Sequence, residues 1–498
     1  MSESKSKLTL LSLILMIFTS VFGFANMPRA FYLMGYAAIP SYVISGLVFF
    51  IPYAFMMAEY GAAFKKEKGG IYSWMQHSVG AKYAFIGTFM WYASYIIWMV
   101  NVSSTIWIPL SNAIFGSDKT GELSLFGLSS IQCLGILGSI WIIIVTYIST
   151  KGIDKIKKIT SIGGSAVALL NIVLLVGAIM VLVMNGFELA QPIKSISEAF
   201  TKSPNPAYQT GLSSLSFLTF AIFAYGGLEV LGGLVDETKN PEKTFPKGVS
   251  IAAFIISIGY ALGIFACATF VNWQEVLSSE SVHMGNVAYI IMNNLGYELG
   301  LSFNLSQESA INIGLWMARF VGLSMFLAFS GAFFTLTYSP LKTLIEGAPQ
   351  ELWPGKMGKL TYGIPVNAMK VQATITIFII LMVSFGGSNG QAFFDLLVLM
   401  TNVAMTIPYI FLSAAFPSFK KKQLSGKIEK PFVVYKSYMS ALVSSIIVSI
   451  AVGFANIFSI IEPALSGAIT KTVFMIAGPL MFSIIGFILY SRYERKPN

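Results

Sequence analysis

Charge is what this chain has least of. Only 11% of its 498 residues are Asp, Glu, Lys or Arg, while 55% are hydrophobic; an ordinary soluble domain carries about 25% charge. Water does not solvate such a surface, which excludes a string of soluble domains, and without a long polar linker the chain reads as a single unit, residues 1–498, held in lipid. Histidine and cysteine are scarcer still, with two of each. Cys133 and Cys267 stand far apart in apolar stretches and read as buried small hydrophobes, not a disulfide or redox pair. His77 and His283 read as isolated loop residues with no second ligand at metal spacing. No Ser/His arrangement and no paired acids on facing helices offer covalent or acid–base chemistry. An enzyme is therefore not expected, and no metal or cofactor is implied.

What the chain has in abundance is apolar sequence in runs of membrane-spanning length. A helix needs about twenty mostly apolar residues to cross the hydrocarbon layer, and its backbone must bond internally there. The expected fold class is all-α, a membrane protein of about twelve transmembrane helices. Span 1 runs from Leu8 to Met34, span 2 from Ile39 to Phe64, span 6 from Gly211 to Val235, span 8 from Ile313 to Leu341 and span 10 from Ala392 to Phe416. Span 1 follows Lys5 and Lys7 as a signal peptide would, but it continues past signal length and is kept as a span.

The net charge of +10 does not point to nucleic acid, because the cations lie in short runs between apolar stretches. Lys65, Lys66 and Lys68, Lys155 to Lys158, Lys239 to Lys247, Lys342, Lys420 to Lys422 and Arg492 to Lys496 collect on one side; Lys119, Lys194, Lys202 and Lys471 are all that the other side holds. That asymmetry places both termini in the cytoplasm. Membrane lipid is the expected surrounding partner, and the oligomeric state stays open. The segment from Asn272 to Asn312 contains Glu275, Glu280, Glu298 and Glu308 but no Lys or Arg. It reads as a solvated connector in preference to a short helix over the outer mouth.

Two spans are broken in the middle. Span 1 carries Ser20-Val-Phe22-Gly23-Phe24-Ala-Asn26-Met-Pro28, and span 6 carries Phe223-Ala-Tyr225-Gly226-Gly227-Leu-Glu229. Interrupted helices in matching positions of two halves are the pattern of an inverted-repeat transporter with a midplane site. N–H groups left unpaired at one half-helix end suit a carboxylate and unpaired C=O groups at another suit an ammonium, so the pair suits a zwitterion such as an amino acid. The competing reading is that the glycines allow close packing or a kink.

Ionisable residues inside spans cost about 2.5 to 3.5 kcal/mol each and default to functional candidates. They are Arg29, Glu59, Glu229, Arg319 and Asp395. Glu229 has three open roles: bonding helix backbone, coupling to a substrate amine, or gating by protonation. Arg319 either attracts an acidic substrate or pairs with a loop glutamate. Arg29 and Glu59 lie nearer their span ends and read as structural or gate-related. Ser330, Thr335 and Thr337 could supply sodium-site oxygens, though such hydroxyls usually bond their own helix.

The run Gly69-Gly70-Ile-Tyr72-Ser-Trp74 with Gly80, the run from Glu229 to Asn240-Pro241-Glu-Lys-Thr-Phe-Pro246, and Gly363-Ile-Pro365 resemble signatures of the amino acid/polyamine/organocation (APC) superfamily of permeases. Nearly the whole chain takes part, and the bacterial glutamate/GABA antiporter branch is the nearest likeness. The resemblance implies a LeuT-like, five-plus-five inverted repeat (8–184 and 211–416) followed by two added helices (433–490). It implies substrate contacts at Ser20, Phe22, Gly23, Phe24, Asn26, Tyr225, Gly226 and Gly227, with Glu229 as the acidic gate residue; Arg319 is kept as a second gating or coupling candidate. The expected function is alternating-access exchange of amino acids or related amines across a bacterial inner membrane. Proton- or sodium-coupled symport and non-transporting sensing are the alternatives. The break in span 1 lacks the Gly-Ser-Gly pattern common in such permeases, and no lysine stands within the fifth span, Ile159 to Met184, to act as a proton-sensitive cation.

Overall fold

A computed structural model of the chain describes residues 7–495; Lys5 and Lys496, and the side chain of Asp395, lie outside the described residues. Among these residues the protein is helical apart from connections and three isolated bridges, and ten helical stretches are long and apolar enough to cross a membrane.

The first stretch, Leu10–Ala63, is 54 residues long, about 80 Å if straight and far more than one crossing of a hydrocarbon layer of about 30 Å. It divides into α1 (Leu10–Val21), α2 (Asn26–Met34), α3 (Ala38–Ser45) and α4 (Ile51–Ala63). Thr9 starts α1 by accepting from the Ser12 amide. Gly35, at φ +56°, ends α2, and α3 and α4 then return along the same neighbour as α1 and α2. Residues 46–50 between α3 and α4 form a π-helical turn. Spans 1 and 2 are thus both contained in this stretch.

The chain continues through α5 (Gly70–Val79), α6 (Ala81–Thr105), α7 (Trp107–Phe115), α8 (Ser130–Ser149) and α9 (Ile153–Met184). After the short α10 (Ile196–Ala199), span 6 is α11 (Gly211–Phe223) followed by a 3-10 segment, Leu228–Leu234. Then come α12 (Pro241–Phe270), α13 (Trp273–Val276), α14 (Val287–Ser302), α15 (Gln307–Gly347) and α16 (Val366–Phe385). The chain ends with α17 (Gly387–Ala404), α18 (Ile407–Leu424), α19 (Tyr438–Leu465) and α20 (Ile469–Glu494).

Three expectations need correcting. The segment from Asn272 to Asn312 is not a plain connector: α14 is 16 residues long and buries Val287, Ala288, Ile291, Met292 and Leu295, one helical face. Span 10 is not continuous from Ala392 to Phe416, because the helix is interrupted at Met405–Thr406 and extends to Leu424. His77 is not in a loop; it occupies the last turn of α5, stacked on Phe64 and paired with Glu67.

Helix backbones approach closely where α1, α9 and α15 meet. A Cβ on Gly163 would lie 2.6 Å from the Leu327 carbonyl oxygen, and one on Gly164 2.2 Å from that of Leu15. Only glycine permits that approach, the usual device of membrane helix interfaces. Ser330 and Thr335 donate to the carbonyls of Phe326 and Gly331, so both hydroxyls serve their own helix. At the end of the bundle where α1 begins, the Leu8 amide donates to Glu237 and the Lys239 amide to Leu8. Lys342, 1% exposed, pairs there with Asp236 at 2.8 Å and Glu237 at 3.4 Å. A second buried pair joins Glu59 on α4 to Lys420 on α18 at 2.6 Å, and the Val434 and Tyr435 amides complete the Glu59 carboxylate.

Candidate functional site

The two breaks face one cavity of roughly 480 Å³. At the first, Gly23 leaves the helical ladder, its amide donating to Val21 and to the Tyr260 hydroxyl. The helix restarts when Asn26 and Met27 donate to Gly23 and Phe24. At the second, Tyr225 and Gly226 donate to Ile222 and Phe223, ending α11 in a tight turn, and Gly227 reverses the backbone at φ +112°. A Cβ on Gly227 would lie 2.3 Å from the Ser20 carbonyl oxygen, so the breaks touch at that point.

Ser20, Phe22, Gly23, Phe24, Asn26, Gly226 and Gly227 all line the cavity. The Ser20 hydroxyl donates to Met16, leaving its backbone as the polar surface offered. Phe22 is nearly buried, edge-on to Tyr260. Gly23 is exposed in the middle of a membrane-spanning stretch, which it can be only because the cavity opens onto it.

Three of the expected residues are placed elsewhere. Tyr225 is 1% exposed and behind the wall, its hydroxyl donating to the Tyr42 carbonyl and its ring stacked on Phe50; the turn that exposes Gly226 and Gly227 rotates Tyr225 inward. Glu229 is fully buried at the start of the 3-10 segment, where its Oε1 accepts from Trp91 Nε1 and Tyr95 Oη, both at 3.1 Å. It therefore holds α6 against span 6 one layer behind the cavity, and Tyr95 lines the cavity in front of it. Arg319 does not line the cavity and, among the described residues, pairs with no loop glutamate; it donates to the carbonyls of Ile114 and Phe115, satisfying the open end of α7.

Two tyrosines escape a reading based on breaks alone. The Tyr260 hydroxyl on α12 donates toward Val21 O at 2.9 Å, with Ala224 O at 3.1 Å, and accepts from Gly23 N and Asn26 Nδ2 at 3.1 and 3.2 Å. One oxygen thus joins the two breaks. Tyr409, beyond the interruption between α17 and α18, accepts from the Gly227 amide at 3.0 Å and lines the cavity with Met405 and Thr406. The signal for Tyr409 was there in Thr406-Ile-Pro408, a helix restart like Asn26-Met-Pro28. Tyr260 sits in an unbroken helix and carries no such mark.

Bundled apolar helices with paired interruptions around a central cavity define a multi-pass membrane permease. The chain belongs to the amino acid permease family, whose sequence model matches residues 8–489, and it is a transporter, not an enzyme. It is 52% identical over 495 residues to the inner membrane transporter YjeM of Escherichia coli, covering 99% of this chain and 97% of that protein. It is 25% identical over 422 residues to the aspartate/glutamate permease AcaP of Lactococcus lactis, covering 84% and 81% of the two chains. With the glutamate/gamma-aminobutyrate antiporter of the same species it shares 21% identity over 461 residues, 91% and 84% of the two.

Proposed function

We propose that the protein exchanges amino acids or closely related amines across a bacterial inner membrane by alternating access, with the substrate held between the breaks of spans 1 and 6. The observation that carries this reading is the shared cavity, onto which both breaks open and whose two break segments meet at Ser20 and Gly227. The amides of Phe24 and Ala25 at the start of α2 suit a carboxylate, and the carbonyls that end α1 and α11 suit an ammonium. The relatives described as a permease for aspartate and glutamate and as an antiporter support this substrate class and exchange.

On this reading the architecture is twelve spans, five plus five inverted and two added, with both termini cytoplasmic. A repeated turn supports it. Leu125–Leu128 before α8 and Thr361–Ile364 before α16 each close an isolated bridge around an aromatic at φ +52° followed by a left-handed glycine. Those two helices are the fourth of each proposed repeat.

Uptake into proteoliposomes tests the function. Labelled substrate should enter only when unlabelled amino acid or amine is present inside. Uptake into empty vesicles driven by a proton or sodium gradient would replace exchange with symport, and binding without uptake would make the protein a sensor.

A further inference from the structure

We infer that the substrate carries a second anionic group and that Arg29 receives it, which makes the preferred substrate a dicarboxylic amino acid; this rests on the exchange reading above. Among the described residues Arg29 is the one charged side chain on the cavity wall, and it is only partly buried. It takes part in none of the ion pairs among the described residues. Its Nε is spent on the Met284 carbonyl at 2.8 Å, in the turn before α14, while the two terminal nitrogens have no acceptor among the described residues. Those nitrogens form the fork that grips a carboxylate in two parallel hydrogen bonds. A guanidinium held within a membrane protein and lacking a counter-anion is a site waiting for one.

Spacing agrees with charge. Arg29 follows Ala25 by four residues of α2, about 6 Å along the axis. An α-carboxylate on the amides at the start of α2 would therefore place a side-chain carboxylate, two or three carbons away, within reach of the guanidinium. Phe24, Phe223, Met325 and Phe329 supply an apolar wall for the carbon spacer. Among the described residues no aspartate or glutamate lines the cavity to pair with a cationic side chain, so lysine-like amino acids and diamines meet an unopposed positive charge there.

Counterflow in proteoliposomes with labelled glutamate, aspartate, glutamine and putrescine tests the assignment in the wild type, Arg29→Gln and Arg29→Lys. The wild type should exchange the acidic pair best. In Arg29→Gln the ratio of the glutamate KM to the glutamine KM should rise about tenfold to a hundredfold, and Arg29→Lys should fall between. Should Arg29→Gln fail to fold, the same ratio measured in Arg29→Lys decides. An unchanged ratio would reduce Arg29 to a tether for the Met284 turn, and a wild type that exchanges glutamine or putrescine but not glutamate would also overturn the inference while leaving exchange intact. A wild type that exchanges nothing in the panel would remove the exchange reading, and the inference with it.

Discussion

Replacing Tyr260 with phenylalanine removes one oxygen and little else. The ring keeps its contacts with Phe22, Tyr42 and Tyr225, at centroid separations of 5.1, 5.0 and 5.2 Å, so no cavity of consequence opens. The loss is three hydrogen bonds that coexist: acceptance from Gly23 and from Asn26, and donation to Val21 or Ala224. At about 1 kcal/mol net for each, the total is about 3 kcal/mol. Most of it falls on the arrangement of the breaks rather than on the whole bundle, because every partner belongs to a break. If binding requires that arrangement, affinity should weaken by roughly a hundredfold. Equilibrium binding of a labelled exchange substrate to the purified variant measures this, with thermal unfolding in detergent run beside it. A variant that binds as the wild type does, with an unchanged melt, would show that other contacts hold the breaks and refute the reasoning.

Glu229→Gln keeps the volume and an oxygen for Trp91 and Tyr95, which both bond Oε1, but removes the carboxylate charge and puts an amide group in place of Oε2; counterflow should fall severely while the protein remains in the membrane, and normal exchange would take Glu229 out of the mechanism. Gly227→Ala must hold an alanine at φ +112° with its Cβ 2.3 Å from the Ser20 carbonyl; exchange should be lost and the melting temperature lowered, and an unaffected variant would show that the breaks do not touch. Lys420→Met strands the Glu59 carboxylate in the interior and should cost about 3–5 kcal/mol; the double variant with Glu59→Gln should recover part of it, and a thermal melt in detergent reads both.

The fold was legible because lipid leaves the backbone few options, so length and hydropathy alone mark crossings. The breaks were legible for a related reason: Gly23, Asn26 and Pro28, or Gly226 and Gly227, are costly in a continuous helix and signal that the backbone does something else. What sequence could not reveal is where a side chain turns once the helix ends. Tyr225 lies inside a break yet faces away from the cavity, whereas Tyr260 lies in regular helix yet its hydroxyl joins both breaks. Lys342 and Lys420 were read with the flanking cations, but each is buried in an ion pair with an acid distant in sequence. Such pairings depend on helix neighbours, which periodicity within one helix does not encode. A helix within Asn272 to Asn312 ranked below a connector because glutamates without lysine or arginine suit solvated chain, yet α14 carries an ordinary amphipathic face.

The distribution of polar bonds also argues for which parts move together. Spans 1, 2 and 6 and α12 are tied to one another by bonds between them: Tyr260 to Val21 and Gly23, Tyr225 to Tyr42, and the Leu8 backbone to Glu237 and Lys239. Between that group and α6 or α15 the polar ties cluster along span 6 and its end: Trp91 and Tyr95 to Glu229, Ser339 to Val230, and Lys342 to Asp236 and Glu237. On the alternating-access reading, opening toward the end where α1 begins parts these latter contacts and can leave the former intact. Lys342→Met should therefore favour that opening and raise the labelling of a thiol placed at position 343, a buried site on the same helix. Equal labelling with and without the substitution would mean that the ion pairs close nothing, and that the seam of α1, α9 and α15, packed glycine to backbone at Gly163 and Gly164, is the barrier on that side.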